Sequence, residues 1–210
     1  MNLLDPQSIL LAVSGFAVLA VCAMVFLETG FILTSFLPGD SLLFVLGVTM
    51  AVSGTDILRF VLGVLAVGFC AFAGSQIGFE VGAKVGPPLF ERNHNWIFNP
   101  NTVAKTHALF ERYGARAVIL ARFVPIVRAL VPMLAGIGHL ERSKFLRYNF
   151  IGAAIWVVGF MSAGYFLGGI PAIKQNLDFV VLLIVVVTSL PLPIELLRNW
   201  FMRRAQNRIG

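Results

Sequence analysis

Hydrophobic positions along this chain come in long unbroken runs rather than in the short rhythms of soluble strands and helices. Ile9 to Leu27, Phe60 to Phe79, Asn149 to Ile173 and Phe179 to Ile194 contain no charged residue. Crossing the apolar part of a bilayer as a helix takes about 20 mostly apolar residues, so these runs predict four spanning helices. The last is short and ends in Pro191 and Pro193, which a regular helix accommodates only with a kink. No Lys or Arg precedes the first run, which is therefore read as a retained helix and not as a cleaved secretory signal.

Two further apolar stretches are interrupted in the same way. Glu28 to Val52 contains Glu28, Pro38, Gly39 and Asp40, and Ala117 to Leu140 contains Arg122, Pro125, Arg128 and Pro132. Broken backbone at membrane depth is tolerated only where it is buried in protein or lines a wet cavity. Each stretch is read as a helix–break–helix hairpin that enters and leaves by one face. The basic residues support this topology. Lys84, Arg92, Lys105, Arg112 and Arg116, then Arg142, Lys144 and Arg147, then Arg198, Arg203, Arg204 and Arg208 all fall on one side if both hairpins are re-entrant. Only Arg59 and Lys174 fall opposite. Basic loops stay cytoplasmic, which puts both termini there.

The predicted fold is thus an all-α polytopic membrane protein, a single domain over 1–210. About four spanning helices combine with two opposed re-entrant hairpins in an inverted repeat. The first half covers about 8–83 with its hairpin at 28–52, and a cytoplasmic loop follows at 84–116. The second half covers about 117–197 with its hairpin at 117–140, and a basic cytoplasmic tail closes the chain at 198–210. Trp96 and Phe98 read as interfacial anchors, and Asn101 to Tyr113 as a short surface helix.

Composition narrows the class. Of the 210 residues 58% are hydrophobic and 12% charged, against about 25% charged in soluble domains. With a mean hydropathy of +0.87, this excludes soluble, disordered and collagen-like chains and leaves an integral membrane protein. The net charge of +6 is accounted for by cytoplasmic anchoring and calls for no nucleic-acid partner. Cys22 and Cys70 lie in apolar runs and read as small buried hydrophobes. His94, His107 and His139 have no ligand spacing, so no metal is expected.

Glycines mark where helices meet. Gly74, Gly78, Gly82 and Gly86 recur every four residues, and Gly164 and Gly168 repeat the spacing. Such stripes let another backbone approach closely, either as static packing or as a surface on which two halves slide.

Four charges carry the chemistry. An acidic residue or Arg at the centre of a spanning helix costs roughly 2.5–3.5 kcal/mol, so Glu28, Asp40, Arg122 and Arg128 left alone would cost about 10–14 kcal/mol. They must be paired or hydrated, and two of each sign suggest compensation between the hairpins. A buried ionic clamp with no further role would satisfy the arithmetic, but intramembrane charges are functional candidates by default. Arginine offers a planar, permanently charged fork that matches phosphate or carboxylate, while Glu28 and Asp40 are the titratable partners. Pro38-Gly39-Asp40 sits where a broken helix restarts, and the unpaired N–H groups of such an end favour an anion. Inverted repeats with half-helix ends near mid-membrane are a transporter arrangement.

These features together resemble the DedA family, also described as the SNARE-associated or VTT-domain group, over Leu27 to about Gly169. The resemblance rests on Glu28 with Phe36-Leu37-Pro38-Gly39-Asp40, and on Gly74 with Gln76-Ile77-Gly78. It continues in Ala121-Arg122-Phe123-Val124-Pro125-Ile126-Val127-Arg128, in Pro132 with Ala135-Gly136, and in Asn149, Gly152 and Trp156. It implies two facing re-entrant hairpins and transport of undecaprenyl phosphate, the carrier lipid of envelope polymers, across the cytoplasmic membrane, linked to the proton-motive force. Eukaryotic relatives scramble phospholipids. Arg122 and Arg128 are then expected to bind the lipid phosphate, and Glu28 and Asp40 to couple protons. Pro38, Gly39, Pro125, Pro132, Gly136, Asn149, Gly152 and Trp156 are expected to shape the breaks and the packing. Family members often carry an acid where this chain has Ser75, so a proton route there is not implied.

The leading expectation is a flippase for a lipid phosphate, needing no cofactor beyond protons and having the bilayer as its partner, with a homo-oligomer compatible. A proton-coupled antiporter of ions or small solutes and a passive phospholipid scramblase are the alternatives. An enzyme is not expected, because no His-Glu-x-x-His, Gly-x-Ser-x-Gly or Walker-type loop is present.

Overall fold

A computed structural model describes residues 6–31, 34, 38–92, 113–168 and 170. The fourth apolar run, Trp96, Phe98, the surface helix up to residue 112 and the basic tail lie outside the described residues. Those described form helices, with no strand among them. The helices are α1 (Pro6–Gly30), α2 (Gly39–Val52), α3 (Ile57–Arg92), α4 (Ala117–Ala121, entered through a 3₁₀ turn at Gly114–Arg116), α5 (Pro125–Ile137) and α6 (Arg142–Gly168). Among the described residues two segments are long and apolar enough to cross a membrane, Ile57–Lys84 of α3 and the whole of α6. Phe69, Phe150 and Phe166 point outward from these two helices, which suits an outer surface bathed in lipid and not water.

Both predicted interruptions are present, with adjusted edges. Glu28 does not open a new element; α1 carries on through it to Gly30, and the Thr34 hydroxyl closes the helix end by donating to the carbonyl of Leu27 at 2.7 Å. Pro38 then precedes α2. In the second stretch Arg122, Phe123 and Val124 form the break. Val124 is extended (φ −120°, ψ 108°), and Pro125 starts α5, because a residue before proline is driven out of the helical region. Pro132, in contrast to its expected role as a breaker, lies inside α5, which continues to Ile137. It forgoes one backbone bond, and its ring rests against Gly78, where an added Cβ would lie 3.4 Å from the proline Cβ.

The two halves share one construction. α2 and α5, of 14 and 13 residues, each end in a left-handed residue, Gly54 (φ 66°) and His139 (φ 53°). The next N–H reaches back five residues in both, Thr55 to Met50 and Leu140 to Ala135, at 3.0 Å each. This is the helix stop in which a left-handed residue lets the chain turn sharply. Three residues beyond each stop a long helix begins, α3 at Ile57 and α6 at Arg142.

Contacts at both ends show that the long helices run antiparallel. The Tyr165 hydroxyl near the end of α6 donates to the Thr55 carbonyl before α3 at 2.8 Å, while Arg142 at the start of α6 pairs with Glu80 far along α3. Each short helix packs against the long helix of the other half, through glycines. A Cβ on Gly47 would strike the Met161 carbonyl, and one on Gly164 the Phe44 carbonyl; Gly82 and Gly136 stand in the same relation to the carbonyls of Met133 and Phe79. Gly74 accepts the backbone of α1 around Phe26 and Gly30 in like manner. At Gly74, Gly78, Gly82, Gly164 and Gly168 the stripes read from the sequence are thus seams where backbone meets backbone. One core cluster gathers Val25, Leu43, Val67, Trp156 and Met161 between α1, α2, α3 and α6. A second gathers Val118, Val131 and the stacked pair Phe79–Phe145, whose ring centroids are 4.3 Å apart. Cys22 is buried in the first of these clusters and Cys70 packs against it.

Because the seams leave no side chain that can give way, Gly164→Ala and Gly136→Ala are each expected to lower unfolding free energy by about 1–3 kcal/mol. Gly159→Ala, on α6 with nothing within 4 Å of its added Cβ, is expected to be neutral or slightly stabilising. Thermal unfolding of the purified protein in neutral detergent distinguishes the three.

Candidate functional site

The four charges that the sequence sets apart all fall at helix ends beside the two breaks. Glu28 is in the last turn of α1, Asp40 in the first turn of α2, Arg122 just after α4 and Arg128 in the first turn of α5. All four are buried, and none is more than 8% exposed. The breaks therefore bring charge from two distant segments into one interior region.

Arg128 is the hub. One guanidinium nitrogen donates to Asp40 Oδ1 at 2.9 Å, and another makes a salt bridge with Glu28. Its planar fork serves two carboxylates from two helices at once, which a lysine ammonium would do with far less fixed geometry. Trp156 on α6 completes the group. Its indole N–H donates to the same Asp40 oxygen at 2.7 Å, and its ring lies 5.1 Å from the guanidinium carbon, within cation–π range. Glu28 reaches this position because Gly39 has no side chain, since a Cβ there would collide with a Glu28 carboxylate oxygen. The N-terminal end of α2, read from the sequence as an anion seat, is thus met by the protein's own Glu28 and Asp40, both favourably placed at the positive end of a helix.

Arg122 is held differently. It donates to the Ser75 hydroxyl at 2.8 Å, to Asn149 Oδ1 at 2.5 Å and to the Ala71 carbonyl at 3.3 Å. Asn149 is oriented in turn by its own bond to the Phe72 carbonyl, at 3.0 Å. Gly152 makes room for the arginine shaft, since a Cβ there would lie 3.0 Å from Arg122 Cδ. The expected sharing of two acids between two arginines is therefore uneven. Both carboxylates go to Arg128, and Arg122 is surrounded by neutral acceptors.

Asn149, Gly152 and Trp156, expected to serve packing, also belong to the charged site. At spacings of three and four residues they share one face of α6, and along it they position Arg122 and the Arg128 group in succession. Ser75 was visible in the sequence only as a departure from a pattern, and its role as an acceptor for Arg122 needed the α3–α4 contact to be seen. The carbonyls of Ala71 and Phe72 carry no sequence signal at all.

The fold and the buried ionic cluster define a helical membrane protein with charged groups gathered inside it. The VTT domain family matches residues 37–166, and the chain belongs to this family, that of the DedA proteins. It is 41% identical to Protein DedA of Escherichia coli over 191 residues, 90% of this chain and 87% of the relative. It is 39% identical to the uncharacterized membrane protein Rv0364 of Mycobacterium tuberculosis over 208 residues, 97% of this chain and 90% of that one. It is 28% identical to the inner membrane protein YqjA of Escherichia coli over 166 residues, 78% and 73% respectively. No solved structure matches.

Removing one partner from a buried ionic group leaves the others uncompensated, at a cost of about 3–5 kcal/mol. Arg128→Met is expected to lose stability of that order in chemical or thermal unfolding. Combining it with Glu28→Gln and Asp40→Asn is expected to restore a large part of the loss, since the triple variant buries no net charge there.

Proposed function

We propose that the protein is a translocase for a lipid phosphate, undecaprenyl phosphate or a close relative, that works across the inner membrane and uses the proton-motive force. The observation that carries this reading is Arg122, a buried permanent cation whose acceptors among the described residues are all neutral. Such a group is positioned and oriented, yet its charge is unmatched at contact distance. A phosphate headgroup supplies the missing charge and the matching geometry.

Glu28, Asp40 and Arg128 act as the proton-responsive part. A proton on either carboxylate removes part of the counter-charge that holds Arg128, whose guanidinium then turns toward the phosphate beside Arg122. Loss of the proton draws Arg128 back and releases the headgroup. The charges balance, because the four side chains sum to zero and a phosphate monoester brings about −1.5 to −2, matched by protons taken up on the carboxylates. The lipid tail stays in the bilayer throughout, and no cofactor or covalent chemistry is required.

The membrane arrangement follows the same reading. At 1.5 Å per residue α2 and α5 reach only about 20 Å, short of a bilayer core of about 30 Å. They serve as the inner arms of two re-entrant hairpins facing one another from opposite sides, inside a frame of about four spanning helices with both chain ends in the cytoplasm. An inner-membrane location is supported by the names of the relatives YqjA and YghB.

Proteoliposomes with an imposed pH gradient test the proposal. Reorientation of the carrier lipid is expected to slow roughly tenfold or more in Arg122→Ala and in Arg128→Ala, the scale of losing a charge-assisted hydrogen bond. Wild-type rates in both variants end the proposal. Solute-dependent current without carrier lipid identifies an antiporter instead, and lipid movement indifferent to the gradient and to Glu28→Gln identifies a scramblase.

A further inference from the structure

Away from the buried cluster, where the 3₁₀ turn before α4 meets the start of α6, the surface opens into a cavity of about 510 Å³. Its walls carry three cations, Arg116, Lys144 and Arg147, and one acid, Glu141. That acid is already engaged, accepting from the Ser143 hydroxyl at 2.5 Å and pairing with Lys144 at 3.0 Å. The hydroxyl and the ammonium hold its carboxyl below the usual carboxylate range. Arg147 acts on the same carboxylate from farther away, Arg116 makes no salt bridge among the described residues, and Tyr113 and Tyr148 add two phenol groups to the lining.

The start of α6 is unusual for a helix. First turns favour acidic residues because the helix end is itself positive, yet this one contains Arg142 and Lys144 and no acid. Arg142 is answered by Glu80 of α3. The remaining positive potential, from the helix end and from the cations at the rim, converges on the cavity, where among the described lining residues Glu141 is the one acid against three cations. One turn further along α6, Phe150 and Ile151 are exposed at the start of the apolar stretch that faces lipid. A cationic cavity one helical turn from exposed apolar side chains is the pairing that a charged headgroup with acyl chains requires.

We infer that this cavity is a binding site for a phosphate group, and that its ligand is the headgroup of an anionic phospholipid, with acyl chains passing down over Phe150 and Ile151. It is separate from the Arg122 and Arg128 cluster and stands whether or not that cluster moves a lipid. Bound there, a lipid offsets the repulsion at the start of α6 and ties the turn before α4 to that helix through a shared anion.

The test uses the full chain in neutral detergent, with binding of dioctanoyl phosphatidic acid, dioctanoyl phosphatidylcholine and inorganic phosphate measured by calorimetry. Phosphatidic acid is expected to bind at least about tenfold more tightly than phosphatidylcholine. Combining Arg116→Gln, Lys144→Gln and Arg147→Gln is expected to weaken it by about tenfold or more. All three side chains are exposed, and an unchanged melting temperature without lipid confirms that the variant is folded. Arg59→Gln, a neutralised surface charge beyond the cavity, is expected to bind as wild type. Equal binding by the triple variant and the wild type overturns the site, as does an equal loss in Arg59→Gln. Inorganic phosphate binding as tightly as phosphatidic acid overturns the assignment to a lipid.

Discussion

A charge in an apolar interior has to find its opposite within a few ångströms, and most of this structure answers that requirement for one side chain, Arg128. Two carboxylates from separate helices and the indole of Trp156 surround it. Interruption of the helices makes this encirclement feasible. Glu28 and Asp40 flank one break and Arg128 follows the other, so each charge sits at a helix end, where the side chain can reach across. Continuous helices would have spaced the same residues along separate rods.

The seams of glycine serve the same end at longer range. By letting α2 lie directly on α6 and α5 directly on α3, they bring Trp156 to Asp40 and set the α5 start against the end of α1. A side chain of even one carbon on Gly39 would block Glu28, and one on Gly152 would crowd Arg122. Small residues here act less as flexible points than as clearances, each measured by the charged group that occupies it. The result is a polar interior in which each arginine has a fixed address and a different kind of neighbour.

Much of this was legible in the residue pattern. Uncharged runs marked α3 and α6 because a bilayer demands length and nothing subtler. The prolines and charges marked both breaks, and Pro125 lies where its preceding residue requires extended backbone. Other features were hidden for physical reasons. Pro132 looks like a helix stop, but loss of a single hydrogen bond is absorbed when the ring finds a glycine to lie against. The division of acids between the two arginines depends on which helix ends meet in space, which no local spacing encodes. Asn149, Gly152 and Trp156 read as packing because each is a common buried residue; only their shared face on α6, opposite two arginines, reveals their part in the charged site.

The glycine seams between the two halves, finally, set main chain against main chain. Rotamer changes cannot loosen such a joint, and a small rotation of one rod about its own axis would lift glycine away and drive a bulkier neighbour into a carbonyl. Motion of α2 or α5 relative to its long partner is thereby restricted to travel along the seam or to tilt about the sharp bends at Gly54 and His139. The molecule resembles a pair of keyed shafts more than a pliable bundle: its freedom is narrow in direction, set by the lines that those keyways allow.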